Sequence, residues 1–564
     1  MQITFLGGAT TVTGSQYLLV TERAKILIDC GMFQGSPNES VRNRVPFAYD
    51  PADLDAVLLT HAHLDHCGLL PLLVKAGYKG AIHATAGTIE LATLVLLDSG
   101  KLHEEFAKRE ARWEKRHPDE VVADDRREAD EYQAAVDLAA AGESGVAAPA
   151  GVGTGTAAAA ADVAASAAGD EEAEHVATTV EAGHEPGDQP AAWPRDPEAE
   201  LRAQPPHIMV DLDTPLYTAK DAENSLAQFK ALHYGDEVEV APGIHATFVD
   251  AGHILGSAII RLRIQETEGG EERSIVFSGD LGRPGTPILR DPTVMTDADY
   301  VLIESTYGGR EHEPEAEAIR VLAETVRMVA DAGGVLLVPS FAIGRTQEVV
   351  WELDRLIERG EIPLLPLYLD SPMASKASDI YRHHPDYYDE ETAKLLREGD
   401  TPLDYPNQII TNDVKASRGI EFAPRPYMIV ASNGMLTGGR VVGHLRNLID
   451  DPNATILFVG YQGEGTLGAH LQAGAKEVKI DGQMRAVRCK TRSISGFSAH
   501  ADESELLEWL GHFIAGKKPG DRGYPRRVFL VHGDPEAQIA LEPKVRELGF
   551  ATHVPHWHEH VTLE

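Results

Sequence analysis

Between residues 61 and 66 the chain reads His61-Ala62-His63-Leu64-Asp65-His66, directly after the apolar run 56–59. Two imidazoles two residues apart on an extended loop can reach one metal ion. Asp65 and His66, at the start of a helical stretch rich in leucine (Leu69-Leu70-Pro71-Leu72-Leu73), can point at a second ion. Ions in two-metal sites lie about 3.5–4 Å apart. Imidazole nitrogen and carboxylate oxygen both suit zinc. Other apolar runs end in the same kind of residue. The run 246–249 leads into Asp250-Ala251-Gly252-His253, 274–277 into Ser278-Gly279-Asp280, 300–303 into Glu304, and 528–531 into His532-Gly533-Asp534. Ile26-Leu27-Ile28 leads into Asp29. Taken singly, His253 reads as a structural histidine in a Gly-rich loop, and Asp280 and Asp29 as turn residues. Only their combination with the 61–66 motif lifts all three.

Such residues converge only if the runs are strands of one layered architecture. Short apolar runs recur at 56–59, 246–249, 274–277, 300–303, 335–338, 367–369, 427–430, 456–459 and 528–531, with helical stretches such as 314–332 and 347–358 between them. Runs of this length and composition are typical of buried strands. The pattern is that of an α/β chain with layered sheets, in which ligands gather outside the carboxyl ends of strands.

At 564 residues the chain is expected to form two to four domains. One segment stands apart. Residues 141–200 hold 19 alanines and a net charge of -11, with no Leu, Ile, Phe, Tyr or Met. So little apolar surface cannot offset the entropy of ordering, which predicts a disordered insertion over about 141–205. Its flank at 97–140 is richer in Glu, Lys and Arg with scattered apolar residues, and reads as helical. The amino terminus reads as a strand with no basic leader, and no apolar run approaches the ~20 residues of a membrane span. Three cysteines cannot make a disulfide framework. A cytoplasmic protein without a membrane partner is expected.

With these residues in view, the sequence resembles the metallo-β-lactamase superfamily. His61-Ala62-His63-Leu64-Asp65-His66, His253 and Asp280 look like its metal motifs. Glu304-Ser305-Thr306-Tyr307-Gly308, Ser498-Ala499-His500-Ala501-Asp502 and Val531-His532-Gly533 resemble motifs A, B and C of its β-CASP branch of nucleases. The segment from Ser340 to Glu348, Asp370-Ser371-Pro372-Met373, Ser432-Asn433-Gly434-Met435 and Gly438-Gly439-Arg440 match as well. The likeness is to bacterial and archaeal ribonucleases akin to the nuclease subunit of the cleavage and polyadenylation specificity factor. It implies an αββα sandwich in two parts, 1–308 and 490–564, interrupted by an α/β β-CASP domain at 309–489.

The resemblance also implies residue roles. His61, His63 and His253 would bind one zinc; Asp65, His66 and His532 a second; Asp280 would bridge them, with Asp29 supporting the ligands from behind. His500 would be the general acid, oriented by Glu304, with Asp65 also counted in the catalytic set. Ser432, Asn433 and Gly434 would contact phosphate. Arg345 has a planar fork suited to phosphate and reads equally as a structural helix-face arginine. Two zincs bring the pKa of bound water towards ~7. Hydroxide attack at phosphorus leaves the RNA 2′-OH unused, so 5′-phosphate and 3′-hydroxyl ends are expected.

Three other readings compete. DNA-directed members of the superfamily typically carry Val in motif C, where this chain has His532. Small-molecule hydrolases of the superfamily lack the long insert between Asp280 and His532. Catalytically dead relatives lose ligands that are all present here. Gly463-Glu464-Gly465-Thr466-Leu467-Gly468 spells a dinucleotide fingerprint, but no βαβ unit with a ribose-binding acid follows. A homodimer is left open. The net charge of -37 opposes steering of RNA by the whole protein. Contacts with RNA are therefore expected in a cleft lined by the metals, Arg345 and Gly-rich loops.

Overall fold

The computed structural model describes residues 1–35, 37–143, 214–267, 269–460, 462–463 and 465–564. From residue 144 onward, the insertion expected at about 141–205 lies outside the described residues.

Two seven-stranded sheets face each other. The first holds β1 (Gln2–Gly7), β2 (Gln16–Val20), β3 (Lys25–Ile28), β4 (Ala56–Leu58), β5 (Ala81–Thr85), β6 (Phe229–Leu232) and β22 (Glu559–Thr562), in the order β22-β1-β2-β3-β4-β5-β6. The second holds β7 (Glu237–Ala241), β8 (Ile244–Asp250), β9 (Ala258–Gln265), β10 (Glu272–Phe277), β11 (Tyr300–Glu304), β20 (Arg527–Val531) and β21 (Thr552–His553), in the order β21-β20-β11-β10-β9-β8-β7. Alternation along each strand decides which layer a residue enters. In β10 and β11, Ile275, Phe277, Tyr300 and Leu302 point between the sheets, against Ile3, Phe5, Ile26 and Ile28 of the first. Their neighbours Val276, Val301 and Ile303 point outward, onto Leu506, Leu510 and Val545 of the helices Glu503–Gly511 and Pro535–Glu547. The outer face of the first sheet is covered in the same way by the helices Leu70–Lys75 and Ala86–Glu114. These layers make an αββα sandwich.

A third sheet holds β12 (Val335–Pro339), β13 (Leu367–Leu369), β14 (Gln408–Ile410), β15 (Tyr427–Ala431), β16 (Ala454–Phe458) and β19 (Lys490–Ser493), all parallel, in the order β14-β13-β15-β12-β16-β19. Helices cover both faces. Leu336 and Val338 pack to one side with Leu322 and Val326, and Val335 and Leu337 to the other with Val441 and Leu445. A hairpin of β17 (Glu477–Ile480) and β18 (Gln483–Ala486) stands beside this sheet.

All nine apolar runs of the sequence lie in strands or end one residue beyond them, and both helical stretches form helices, Glu315–Asp331 and Arg345–Glu358. The flank at 97–140 is helical as expected, in the helices Ala86–Glu114 and Pro118–Glu143. Residues 490–493 pair with β16 as β19, at the edge of the third sheet. Lys490 and Ser493 are exposed, so this polar edge strand had no apolar run to reveal it. Among the described residues, no helix is long and apolar enough to cross a membrane.

Backbone hydrogen bonds hold the main chain of the 61–66 motif. Cys30 N–H donates to His66 O (2.8 Å), Met32 N–H to Leu64 O (2.9 Å), and Ser15 N–H to Asp65 O (2.8 Å). The chain passes so close here that a Cβ on Gly31 would lie 1.7 Å from Asp65 O and 2.8 Å from Ser15 N. Gly31→Ala is therefore expected to destabilise the fold by about 1–3 kcal/mol, the usual range for overpacking, and to lower metal content. Denaturant unfolding and metal analysis check this, and an unchanged unfolding midpoint would show that the loop can yield.

Candidate metal centre

Six strand ends and one further loop deliver the site. β3 leads into Asp29, β4 runs through Thr60 into the His61–His66 loop, β8 leads to His253, β10 to Asp280, β11 ends in Glu304, and β20 leads to His532. His500 comes from the loop before the helix Glu503–Gly511. All of these sit in the interior of the sandwich or at its rim.

Two ligand sets form around Asp280. In the first, His61 Nε2 lies 3.1 Å from His63 Nδ1, and His63 Nδ1 lies 3.2 Å from His253 Nε2. Asp280 Oδ2 is 3.4 Å from His61 Nε2 and 3.6 Å from His253 Nε2. In the second, His66 Nε2 lies 3.2 Å from His532 Nε2, which is 3.6 Å from Asp65 Oδ2. Asp280 Oδ1 is 3.3 Å from both His66 Nε2 and His532 Nδ1. Ligand atoms about 2.0–2.1 Å from a tetrahedral ion stand roughly 3.3 Å apart, and the observed spacings scatter around that value. Asp280 turns one oxygen to each set. The residues therefore fit two ions of zinc's size and ligand preference.

Hydrogen bonds fix which nitrogen of three of these rings faces the centre. Ala499 O can only accept, so His253 Nδ1, at 3.1 Å, carries the proton and Nε2 keeps its lone pair. His66 Nδ1 is fixed in the same way by Asp29 Oδ2 at 2.8 Å. Thr60 Oγ1 donates to Asp29 and so accepts from His61 Nδ1 at 3.1 Å. One buried carboxylate thus orients two ligands, the second through Thr60. Asp29 holds a left-handed φ of +57° and His532 one of +47°. Such backbone costs on the order of 1–3 kcal/mol per residue and persists where its surroundings over-determine it. Burial pushes His61 and His253 well below the usual imidazole range, and His63 down to about 4. Burial opposes ionisation of Asp280, but His532, His66 and His61 outweigh it and hold the carboxyl well below its ordinary range.

Glu304 and His500 form a separate pair beside Asp280. Glu304 is fully buried, and its oxygens accept from Leu281 N–H (2.7 Å) and Thr306 N–H (3.3 Å). His500 Nδ1 lies 3.0 and 3.2 Å from the same two oxygens, and its Nε2 is 3.9 Å from Asp280 Oδ2. Burial works to lower the His500 pKa, but the Glu304 charge and hydrogen bond, with Asp280 and Asp65, raise it to about 9. Both Glu304 oxygens are thus engaged by these donors.

The sequence reading overlooked two contributors, Thr60 and His312. His312 Nε2 lies 3.2 Å from His500 O, and its ring packs against Tyr307 at 4.3 Å. Thr60 adjoins the motif, but its coupling to Asp29 exists only once β3 and β4 pair.

The residues expected to meet substrate lie at the carboxyl ends of the third sheet. Ser432, Asn433 and Gly434 follow β15. The Ser432 hydroxyl is buried without a hydrogen-bond partner among the described residues, and Gly434 O accepts from Gln462 Nε2 at 3.0 Å. Gly344 reaches the metal loop: a Cβ there would lie 3.1 Å from Ile254 Cγ2. Arg345 beside it is buried and ion-paired with Glu348. Its guanidinium is held by a carboxylate of its own helix.

Comparison with known proteins places three family models along the chain. The Metallo-beta-lactamase superfamily matches residues 9–138, the Beta-Casp domain 346–471, and the Zn-dependent metallo-hydrolase RNA specificity domain 485–555. The chain is similar to Ribonuclease TTHA0252 of Thermus thermophilus, 31% identical over 541 residues that cover 96% of this chain and 95% of that protein. It is 29% identical to Transcription termination factor FttA of Methanosarcina mazei over 560 residues, 97% of this chain and 69% of that protein. The factor of the same name from Methanocaldococcus jannaschii is 28% identical over 562 residues, again 97% and 69%.

Because Asp29 orients His66 directly and His61 through Thr60, Asp29→Ala is expected to weaken metal binding about 10–100-fold, the usual effect of losing such support. Titration of the metal-free protein with zinc measures it. Unchanged affinity would mean that the ligand rings are held by packing alone.

Proposed function

The chain belongs to the β-CASP branch of the metallo-β-lactamase superfamily, and we propose that it is a two-zinc ribonuclease hydrolysing RNA phosphodiester bonds. One observation carries the reading: Asp280 stands between two complete ligand sets with the His500–Glu304 pair at its side. His61, His63 and His253 would hold one ion and Asp65, His66 and His532 the other, with Asp280 shared. Bound there, two divalent ions supply Lewis-acid activation of water and neutralise charge on the phosphoryl oxygens.

The protein groups do the rest. Glu304 keeps the proton on His500 Nδ1 and aims Nε2 at the centre, where it would protonate the leaving 3′ oxygen. Cations held beside it would act against its raised pKa and bring it nearer neutrality, where a general acid works best. Water, not the ribose 2′-hydroxyl, would be the nucleophile, which leaves 5′-phosphate and 3′-hydroxyl ends. Ser432, Asn433 and Gly434 would seat the substrate backbone from the third sheet. Arg345 would act by bracing the Gly344 turn more than by touching phosphate. RNA as substrate is supported by the match to the RNA specificity domain, which spans His532, and by the ribonuclease that the chain resembles along almost its whole length. The sandwich would take residues 1–308 and the C-terminal part, with the β-CASP domain inserted from 309. The pairing of β19 favours a second junction just past Ser493 over one at 489.

The test uses purified protein with RNA and DNA labelled separately at each end. RNA cleavage leaving 5′-phosphate ends, about two zincs per chain as in two-metal sites, and loss of both in His63→Ala are expected. A 2′,3′-cyclic phosphate product, or activity in metal-free protein, would overturn the mechanism. His500→Ala should lower kcat about 10²–10⁴-fold, the range for a general acid, with zinc content unchanged. Loss of zinc in that variant would instead make His500 a ligand.

A further inference from the structure

The net charge of -37 conceals a reversal. Residues 414–493 carry 11 Lys and Arg against 6 Asp and Glu, a net of +5, so the remainder of the chain stands at -42. The excess is gathered on one side of the third sheet. The helix Val414–Gly419 contributes exposed Lys415 and Arg418, the helix Arg440–Leu448 contributes Arg446, and β18 contributes Arg485. Arg425, Arg446 and Arg485 line an open pocket of about 360 Å³ together with the acids Glu421 and Asp450, and Phe422 stands at it with 80% of its surface exposed.

Three features distinguish this pocket from an ordinary charged surface. First, its arginines are only partly neutralised. Arg425 pairs with Asp451 and Arg446 with Asp481 at 2.8 Å, but Arg485 meets only Arg446 O, at 3.4 Å, and its Nε has no partner among the described residues. Arg418 and Lys415 carry no ion pair among the described residues. Second, a larger basin of about 700 Å³ beside β9 and β10 is lined by five arginines and five acids and offers no net charge, whereas here three arginines meet two acids, Glu421 and Asp450, and exposed Lys415 and Arg418 of the helix Val414–Gly419 add to the excess. Third, Phe422 is the most exposed of the large apolar side chains, and it lies among the guanidinium groups. A flat ring bordered by phosphate-binding forks is the arrangement that holds single-stranded nucleic acid, one base on the ring and the backbone on the arginines.

The pocket is remote from the reacting centre. Tyr427, at the amino end of β15, lines it, whereas Ser432 and Asn433 follow the carboxyl end. Five residues of strand separate those edges by roughly 16 Å.

We infer that Phe422, Arg418, Arg446 and Arg485 form a second contact surface for single-stranded RNA, occupied by the part of a long substrate that extends beyond the cleft. The inference rests on the ribonuclease reading above. It also departs from the expectation that RNA contacts are confined to the cleft.

Binding of a long single-stranded RNA is measured with metal chelated, across a salt series, for the unmodified full chain, for R418Q/R446Q/R485Q and for F422A. At ~0.7 per phosphate contact on a single strand, the triple variant should lose about 2 from the slope of log K against log salt. F422A should weaken binding about tenfold, within the range for one stacked base, with little change in slope. With metal restored, kcat/KM on a short oligonucleotide should be the same in all three proteins, while on the long RNA it falls in both variants. Long-RNA affinity equal to that of the unmodified chain in both variants would overturn the inference. So would a change in oligomeric mass with RNA affinity untouched, which would make the face a contact between copies. Failure of the unmodified, metal-loaded chain to cleave either RNA would count against the ribonuclease reading instead, and the binding data would still decide the surface.

Discussion

Asp280 is almost wholly buried, and its two oxygens face imidazole nitrogens of four histidines at 3.3–3.6 Å. A carboxylate taken from water into such a place is tolerated only where positive charge or donors meet it. Here His66, His61 and His253 have their outer nitrogens held by Asp29, Thr60 and Ala499 O, so the other nitrogen of each faces Asp280. Positive charge on the surrounding rings holds the carboxyl ionised, and divalent ions between the rings and the carboxylate would supply the same charge. Much of the sandwich follows from this demand. The ligands come from both sheets, so the sheets must close face to face before either ligand set exists.

That closure also explains where backbone strain is found. Asp29 and His532 are among the few non-glycine residues with left-handed φ, and they stand at the ends of β3 in one sheet and β20 in the other. At His532 the N–H donates to Gly8 O at 2.6 Å while its carbonyl accepts from Ser305 N–H at 3.1 Å. The residue is clamped between sheets, and a relaxed backbone would turn its ring from His66. Local strain here is set against interlocking hydrogen bonds on both sides, which is the condition under which it persists.

The sequence revealed these features unequally. Strands buried on both faces, such as β4 and β11, are continuous apolar runs, and β8, β10 and β20 carry apolar stretches long enough to be visible, so the candidate site residues at their ends were visible too. Edge and hairpin strands were not: β17 and β18 mix polar and apolar residues and β19 is wholly polar, and their pairing depends on the sheet beside them. Side-chain partnership was less legible than position. Arg345 and Glu348 are three apart on one helix, a spacing that allows contact. Only the packed structure shows the guanidinium committed to that pair. Thr60 is inconspicuous for the same reason, since its role arises from the pairing of β3 with β4.

Charge was the property that averaging hid most. At physiological salt, screening over ~8 Å separates one face of a protein from another. An approaching polyanion therefore responds to the local surface and not to the sum of -37. An acidic exterior repels RNA over most of its area and so discourages unproductive contacts. The places left for RNA are those where cations are concentrated: the metal centre between the sheets and the arginine-lined edge of the third sheet. With one such place at the carboxyl edge of the parallel strands and one at the amino edge, the same acidity that argues against nucleic acid in the composition acts, in the folded molecule, to define the course of a strand across it.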